Sequence, residues 1–236
     1  MYLTRFRLNT GRPRARRLLG SPHLMHGAVN LAFPEPPPRG GQGPRVLWRV
    51  DMNAEGRADL YVVSPQRPDL THLVEQAGWP ALDTPGWTTF DYGGFLERLA
   101  VGGTWAFRLT ANPVHYVRRP QDPPDAPTKR TAHVTPRHQL AWLLKQEERA
   151  GFEIVRKPPE RRLTERGDEC EVLVRDVMPL RFKKGAKSGE PVRFTRVTFD
   201  GRLRVTDLAA FRRTLTHGLG KAKAYGCGLM TLAPVT

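Results

Sequence analysis

Residues 208–233 read LAAFRRTLTHGLGKAKAYGCGLMTLA and combine a helix-period segment, a glycine- and lysine-rich loop and a short apolar run. The spacing predicts a helix over Leu208–Leu219 and a closing strand over Leu229–Ala233. Ahead of this segment the patterns predict a helix and three strands, with a type I′ hairpin turn at Asp200-Gly201. These are helix Arg137–Ala150 and strands Val172–Val177, Arg193–Phe199 and Arg202–Val205.

The first half of the chain shows a similar alternation of elements. Strand, helix, strand, strand, helix, strand is the ferredoxin-like pattern, which many RNA-binding modules use. The patterns therefore predict an α+β fold with this arrangement in each half. The predicted elements of the first half are strand Tyr2–Leu8, helix Pro22–Phe33, strands Val46–Val50 and Leu60–Val63, helix Leu70–Ala77 and strand Thr104–Leu109.

Proline-rich stretches separate these elements. Residues 118–136 contain five prolines and few apolar residues, which predicts a connector between an N-terminal domain, 1–117, and a C-terminal domain, 137–236. Pro34–Pro44 is predicted to be a long loop inside the first half. Gly78–Gly94 is rich in Gly, Pro and Trp without clean periodicity, and no element is assigned to it.

The charge balance indicates the class of partner. Lysine and arginine outnumber aspartate and glutamate by 38 to 23, which favours a nucleic acid over a membrane surface. No apolar run is long enough to span a bilayer, and the N-terminus lacks the features of a signal peptide. The two cysteines, Cys170 and Cys227, fit neither a disulfide framework nor a zinc site, so we expect a cytoplasmic protein.

The loop after the last helix is the first candidate binding element. Its glycines permit positive φ and close backbone approach, so that successive N–H groups can face an anion. The alternative is a glycine helix cap followed by an ordinary turn. In so basic a chain we favour phosphate contact, and we predict RNA-binding roles for Gly218, Gly220, Lys221, Lys223, Gly226 and Gly228.

The predicted helix at Pro22 is the candidate catalytic element. Ser21 is a good N-cap and Pro22 suits the first helical position. Met25, Ala28, Val29 and Ala32 form an apolar stripe, while His23, His26 and Asn30 share a different face. Two histidines on one exposed face can divide general base and general acid work, although they can also be ordinary surface residues.

The acidic residues show no spacing typical of a metal site, so the sequence predicts neither metal nor cofactor. RNA carries its own nucleophile, the 2′-OH, beside the scissile phosphate. A base, an acid and cations are then sufficient for cleavage to a 2′,3′-cyclic phosphate and a 5′-OH. A further basic segment, residues 181–191, is predicted to contact phosphates or to be a solvated turn. Its cations are Arg181, Lys183, Lys184 and Lys187.

Six stretches of the chain, in order, resemble the CRISPR-associated endoribonuclease of type I-E systems, a member of the RAMP superfamily that processes CRISPR RNA precursors. The match runs nearly end to end, and its most specific part is the glycine-rich loop. The stretches are Met1–Thr4, Pro22–His26, Phe107–Pro113, His138–Leu143, Phe199–Leu203 and Gly218–Leu229.

This resemblance implies two tandem ferredoxin-like (RRM-like, βαββαβ) domains. It implies cleavage of a repeat hairpin, after which the enzyme holds the mature guide RNA within the Cascade complex beside other protein subunits. The family's catalytic histidine falls on His26, and Arg181 falls where the family places cations near the cleaved phosphate. At position 23 the family often has tyrosine, so the role of His23 stays open.

Two other classes of protein remain as alternatives. One is a non-catalytic RNA-binding scaffold subunit of a RAMP-type ribonucleoprotein, and the other is a basic RNA-binding protein of ribosomal type. The paired histidines argue against the scaffold, since a scaffold needs no titratable groups on an exposed helical face. The glycine-rich loop argues against the ribosomal type.

Overall fold

The computed structural model describes residues 1–35, 43–80, 86–118, 121, 123, 125–164, 167–183 and 190–235. The first part forms a four-stranded antiparallel sheet in the order β2-β3-β1-β4, which is the ferredoxin-like strand order. Its elements are β1 (Tyr2–Leu8), α1 (Pro13–Leu19), α2 (Pro22–Asn30), β2 (Leu47–Met52), β3 (Ala58–Ser64), α3 (Thr71–Ala77), β4 (Trp87–Asp91) and α4 (Tyr92–Glu97).

The second part forms another antiparallel sheet in the order β11-β5-β10-β8, with β9 also paired to β10. Strands β6 and β7 make a separate two-stranded hairpin. The elements are β5 (Thr104–Ala111), β6 (Val114–Val117), β7 (Lys129–Ala132), α5 (Pro136–Leu144), α6 (Glu147–Ala150), β8 (Phe152–Ile154), β9 (Val172–Phe182), β10 (Val192–Val205), α7 (Leu208–His217) and β11 (Met230–Pro234).

The predicted partner of one strand is wrong. Thr104–Leu109 is a strand, but β5 pairs with β10 and β11 rather than completing the first sheet. The fourth strand of the first sheet is β4, from the segment Gly78–Gly94 to which the sequence assigned no element. The change from one sheet to the other therefore falls between β4 and β5. Part of the predicted connector, 118–136, is strand β7, paired with β6.

The hairpin turn predicted at Asp200-Gly201 is also wrong, because β10 runs through both residues without interruption. Gly201 pairs with Phe107 on one side and Val172 on the other. A Cβ atom there would lie 2.2 Å from the carbonyl oxygen of Glu171, so the glycine allows strands to approach closely. The predicted helix Arg137–Ala150 is divided into α5 and α6.

The two sheets are not packed as independent units. One core cluster unites Leu47 and Val63 of the first sheet with Leu109 and Phe199 of the second. None of the helices in the described ranges is long and apolar enough to cross a membrane. The shared core implies that the sheets keep a fixed relative position.

Arg49 on β2 links the sheets by hydrogen bonds. Its side chain is 2% exposed, and it donates to the carbonyl oxygens of Arg108, at 2.8 Å, and Leu229, at 3.1 Å. It also donates twice to Asp51, at 2.6 and 2.9 Å, and once to the hydroxyl of Thr231. Every nitrogen of the buried guanidinium therefore has a partner, and these partners come from three strands and the residue preceding β11.

A chain of ion pairs extends from this arginine into the second sheet. Asp51 accepts from Arg108, which pairs with Asp200 at 2.6 Å, and Asp200 also pairs with Arg175 at 2.6 Å. Burial raises the pKa of Asp200, but the hydrogen bonds from Arg108 and Arg175 outweigh burial and lower that pKa overall. The carboxylate therefore stays ionised at neutral pH.

We expect Arg49→Met to lower the free energy of unfolding by about 3–5 kcal/mol, because it leaves the carbonyl groups of Arg108 and Leu229 without this donor and removes one of the two arginines that pair with Asp51. Denaturant unfolding measures this loss. The matched control is Arg57→Met, which removes an ion pair with Asp59 at a side chain that is 36% exposed and so costs less than about 1 kcal/mol. Equal losses in the two variants would show that Arg49 does not hold the sheets together.

Candidate active site and RNA-binding surface

Helix α2 begins where the sequence predicted. Ser21 Oγ accepts a hydrogen bond from the amide of Leu24 at 3.3 Å, and Pro22 occupies the first turn. Met25 and Val29 are buried, as the apolar stripe requires, and the helix ends at Asn30 rather than at Phe33. This packing leaves His23 and His26 partly exposed, on the face away from the core of the first sheet.

His26 and Asn30 are in contact one turn apart. The amide nitrogen of Asn30 lies 3.3 Å from Nε2 of His26. Because an amide nitrogen only donates, Nε2 accepts this bond in the neutral imidazole and carries the lone pair. His23 lies on the same helix, and its predicted role as a proton donor stays a prediction.

Tyr225 joins the glycine-rich loop to this helix. It ends a short 3-10 helix, Lys223–Tyr225, and its ring centroid lies 6.5 Å from that of His26. On its other side Tyr225 packs against Phe182 of β9, at 5.0 Å, and Phe194 of β10, at 5.8 Å. The loop, the histidine helix and the β9–β10 hairpin therefore meet at one aromatic side chain.

Sequence reasoning gave no role to Tyr225 or its two phenylalanine partners. Tyr225 lies inside the glycine- and lysine-rich loop, and Phe182 follows Arg181 directly, so both residues belong to segments that are distinguished by their positive charge. The contact between them depends on the pairing of distant strands, which periodicity does not show. An aromatic residue among glycines and lysines was the available signal.

The glycines of the loop adopt the conformation that the sequence predicted, with φ of +76° at Gly218, +81° at Gly220, +79° at Gly226 and +92° at Gly228. Several of them also face protein at close range. A Cβ atom at Gly226 would lie 2.7 Å from the ring of Trp48, and one at Gly218 would lie 2.8 Å from Leu47. These glycines therefore let the loop pack onto β2, and their contact with RNA stays a prediction.

Lys223 lies along the loop itself. Cβ positions built at Gly218 and Gly228 would come within 3.1 and 3.2 Å of its side chain, so its aliphatic part covers both glycines. Burial lowers the pKa of Lys223, and the nearby cations Arg45, Lys221 and Arg149 lower it further. The positive charges at the loop therefore repel one another, and a bound anion would reduce this repulsion.

Arg181 occupies the opposite side of β9 from the aromatic cluster. Successive side chains alternate across a strand, so Phe182 faces Tyr225 while Arg181 faces away from it. Lys183 is exposed just beyond the strand. Lys184 and Lys187 lie outside the described residues. The catalytic role of Arg181 and the RNA contacts of these lysines stay predictions.

The described residues contain no group of three or more His, Cys, Asp or Glu side chains able to hold a metal ion. Cys227 is fully buried, and burial raises the pKa of its thiol to about 12. Its role is packing beneath the loop rather than reactivity.

The fold is that of an α+β protein built on two ferredoxin-like sheets, an architecture that many RNA-binding modules use. The family model described as CRISPR associated protein matches residues 1–234, and the chain belongs to this family. The chain is 32% identical over 235 residues to the CRISPR-associated endoribonuclease Cse3 of Thermus thermophilus, covering 99% of this chain and 100% of that protein.

Two further relatives extend the comparison. The CRISPR system Cascade subunit CasE of Escherichia coli is 26% identical over 196 residues, which cover 80% of this chain and 89% of that protein. The structure of Thermus thermophilus Cse3 bound to an RNA representing a pre-cleavage complex matches with a TM-score of 0.69 and 27% identity, over 99% of this chain and 98% of that one. The α+β fold of two tandem ferredoxin-like domains is thereby confirmed.

We expect Gly226→Val to destabilise the protein by about 1–3 kcal/mol more than Gly56→Val, as measured by denaturant unfolding. Both glycines have positive φ, of +79° and +74°, so both variants carry backbone strain. Only Gly226 adds overpacking against Trp48, because nothing lies within 4 Å of a Cβ built at Gly56. Similar losses would mean that Trp48 yields easily and that the loop does not depend on this contact.

Proposed function

We propose that this protein is an endoribonuclease that cleaves repeat hairpins in CRISPR RNA precursors. The observation that carries the proposal is the His26–Asn30 pair on a partly exposed helical face, next to a loop crowded with cations. Family membership and the endoribonuclease name of the Thermus relative support it. A protein that only binds RNA has no need for a histidine held by an asparagine on a partly exposed helical face.

Cleavage requires three tasks of the protein. Nε2 of His26 gives up the hydrogen bond from Asn30 and takes the proton of the 2′-OH, whose oxygen then attacks the adjacent phosphate. Lys221, Lys223 and loop N–H groups stabilise the negative charge of the phosphorane. The bond to the 5′ oxygen breaks, and a proton from His23 or water completes the 5′-OH product. The upstream fragment keeps a 2′,3′-cyclic phosphate, and no metal takes part in the proposed reaction.

The surface that binds the RNA before cleavage also holds the product RNA. Contacts to the stem phosphates do not depend on the scissile bond, so they persist after cleavage, and the enzyme stays on the mature guide RNA. The Escherichia coli relative is named as a Cascade subunit. We propose that this chain also joins other Cascade protein subunits while it holds the RNA.

Removal of the imidazole tests the role of His26. His26→Ala should slow single-turnover cleavage by about 10²–10⁴-fold while keeping RNA affinity, because it deletes a proton-transfer group and few binding contacts. Cleavage rates and a gel-shift titration give the two quantities. His138→Ala, which removes an exposed histidine of α5, is the matched control and should cut at the wild-type rate. Unchanged cleavage by His26→Ala would place the chemistry on another residue.

Removal of the nucleophile tests the reaction type. In EDTA, the wild-type protein should bind and cut a repeat hairpin. The same RNA carrying a 2′-deoxy nucleotide immediately upstream of the cleavage point should be bound but not cut. Denaturing gels measure cleavage of both RNAs. Cutting of the 2′-deoxy RNA, or loss of activity in EDTA, contradicts the proposed mechanism. Binding of both RNAs without any cleavage would favour the scaffold alternative.

A further inference from the structure

A groove of about 580 Å³ lies between the β6–β7 hairpin and the β9–β10 hairpin. Lys129 and Arg130 of β7 line one wall, while Arg181 of β9 and Arg193 of β10 line the other. All four side chains are exposed. Within the described ranges none of them forms an ion pair. The groove is therefore a positively charged surface distinct from the glycine-rich loop.

The register of the strands brings two of these charges face to face. Arg193 pairs directly with Arg181 across β9 and β10. Like charges at directly opposite positions destabilise an antiparallel pair. Among the residues that the structure describes, no aspartate or glutamate lines the groove to offset them. An anion between the two walls would relieve this repulsion.

The inner surface of the groove is apolar. Val114, Val117 and Pro179 contribute to it beside the cations. Its volume is that of sites enclosing small molecules, about 300–1,000 Å³, which suits individual nucleotides rather than the broad surface of a duplex. Apolar walls for bases, combined with cations for phosphates, are typical of sites for single-stranded nucleic acid.

The wall that carries Lys129 and Arg130 is held in place at its base. His115 of β6 stacks on His133, with ring centroids 4.4 Å apart. The amide of His133 donates to the carbonyl oxygen of Pro113 at 3.0 Å. Gln139 of α5 donates to the carbonyl oxygen of His133 at 2.9 Å. These contacts fix the β6–β7 hairpin against α5, so the shape of the groove is determined by the fold.

The groove and the candidate active site share the β9–β10 hairpin. Phe182 faces Tyr225 and the His26 helix, whereas Arg181 and Arg193 face the groove on the opposite side. We propose that the groove binds the unpaired RNA that flanks the repeat hairpin, while the cleaved phosphate lies at His26. This inference rests on the proposed function and specifies a second contact of the same substrate.

Two RNAs test the inference, each made uncleavable by a 2′-deoxy nucleotide at the cut. One is the repeat hairpin alone, and the other carries single-stranded extensions on both sides. The double variant Lys129→Ala/Arg130→Ala and the single variant Arg193→Ala should bind the extended RNA more weakly and the hairpin as the wild type does. For the extended RNA, the slope of log K against log salt should fall by about 0.7 per lost contact.

The control is Arg204→Ala, an exposed arginine at the far end of β10 that pairs with Glu153 at 3.2 Å. It removes the same charge and should leave both affinities unchanged, and thermal melts confirm that all variants fold. Equal weakening for both RNAs would assign the groove to the stem and overturn the inference. Unchanged affinities for both RNAs would overturn it as well. If wild-type protein cuts the unmodified hairpin, the proposed function stands in each case.

Discussion

The position of Arg49 in the interface between the sheets determines how the site is assembled. A fully buried guanidinium is tolerated only where its donors and its charge are matched, and here Asp51 and the carbonyl oxygens of Arg108 and Leu229 match them. Arg108 belongs to β5, and Leu229 immediately precedes β11. The arginine therefore fixes β2 of the first sheet against the strands that carry the end of the glycine-rich loop.

That fixed interface explains how distant segments reach one site. Trp48, the neighbour of Arg49, supports Gly226, and the adjacent Tyr225 reaches the His26 helix on one side and the β9–β10 hairpin on the other. The backbone amide of Arg45 also bonds to the carbonyl oxygen of Thr216, near the end of α7, at 3.1 Å. The histidine comes from the first sheet's domain and most of the cations come from the second, so neither domain alone contains the site.

Local signals predicted the parts of the molecule that depend on local chemistry. Ser21 and Pro22 marked the start of α2 because caps act within one helical turn, and the glycine spacing predicted positive φ because only the backbone is involved. The pairing of β5 was not predictable in this way, because the alternation of apolar and polar residues along a strand does not indicate which sheet the strand joins. The dipeptide Asp200-Gly201 led to a wrong prediction because this pair is typical of hairpin turns. In the structure Gly201 instead leaves room for the carbonyl oxygen of Glu171, and Asp200 forms ion pairs with Arg108 and Arg175. Tyr225 was missed for the same reason as β5, because its partners lie on strands remote in sequence.

The chemical groups at the two cleaved ends show directly which oxygen attacks the phosphate. Mass spectrometry of the fragments from a repeat hairpin cut by the wild-type protein in EDTA identifies both termini. We expect a 2′,3′-cyclic phosphate on the upstream fragment and a 5′-OH on the downstream fragment, because the 2′ oxygen is the nucleophile. A 3′-OH with a 5′-phosphate would show that water attacked the phosphate, and it would contradict the role assigned to His26.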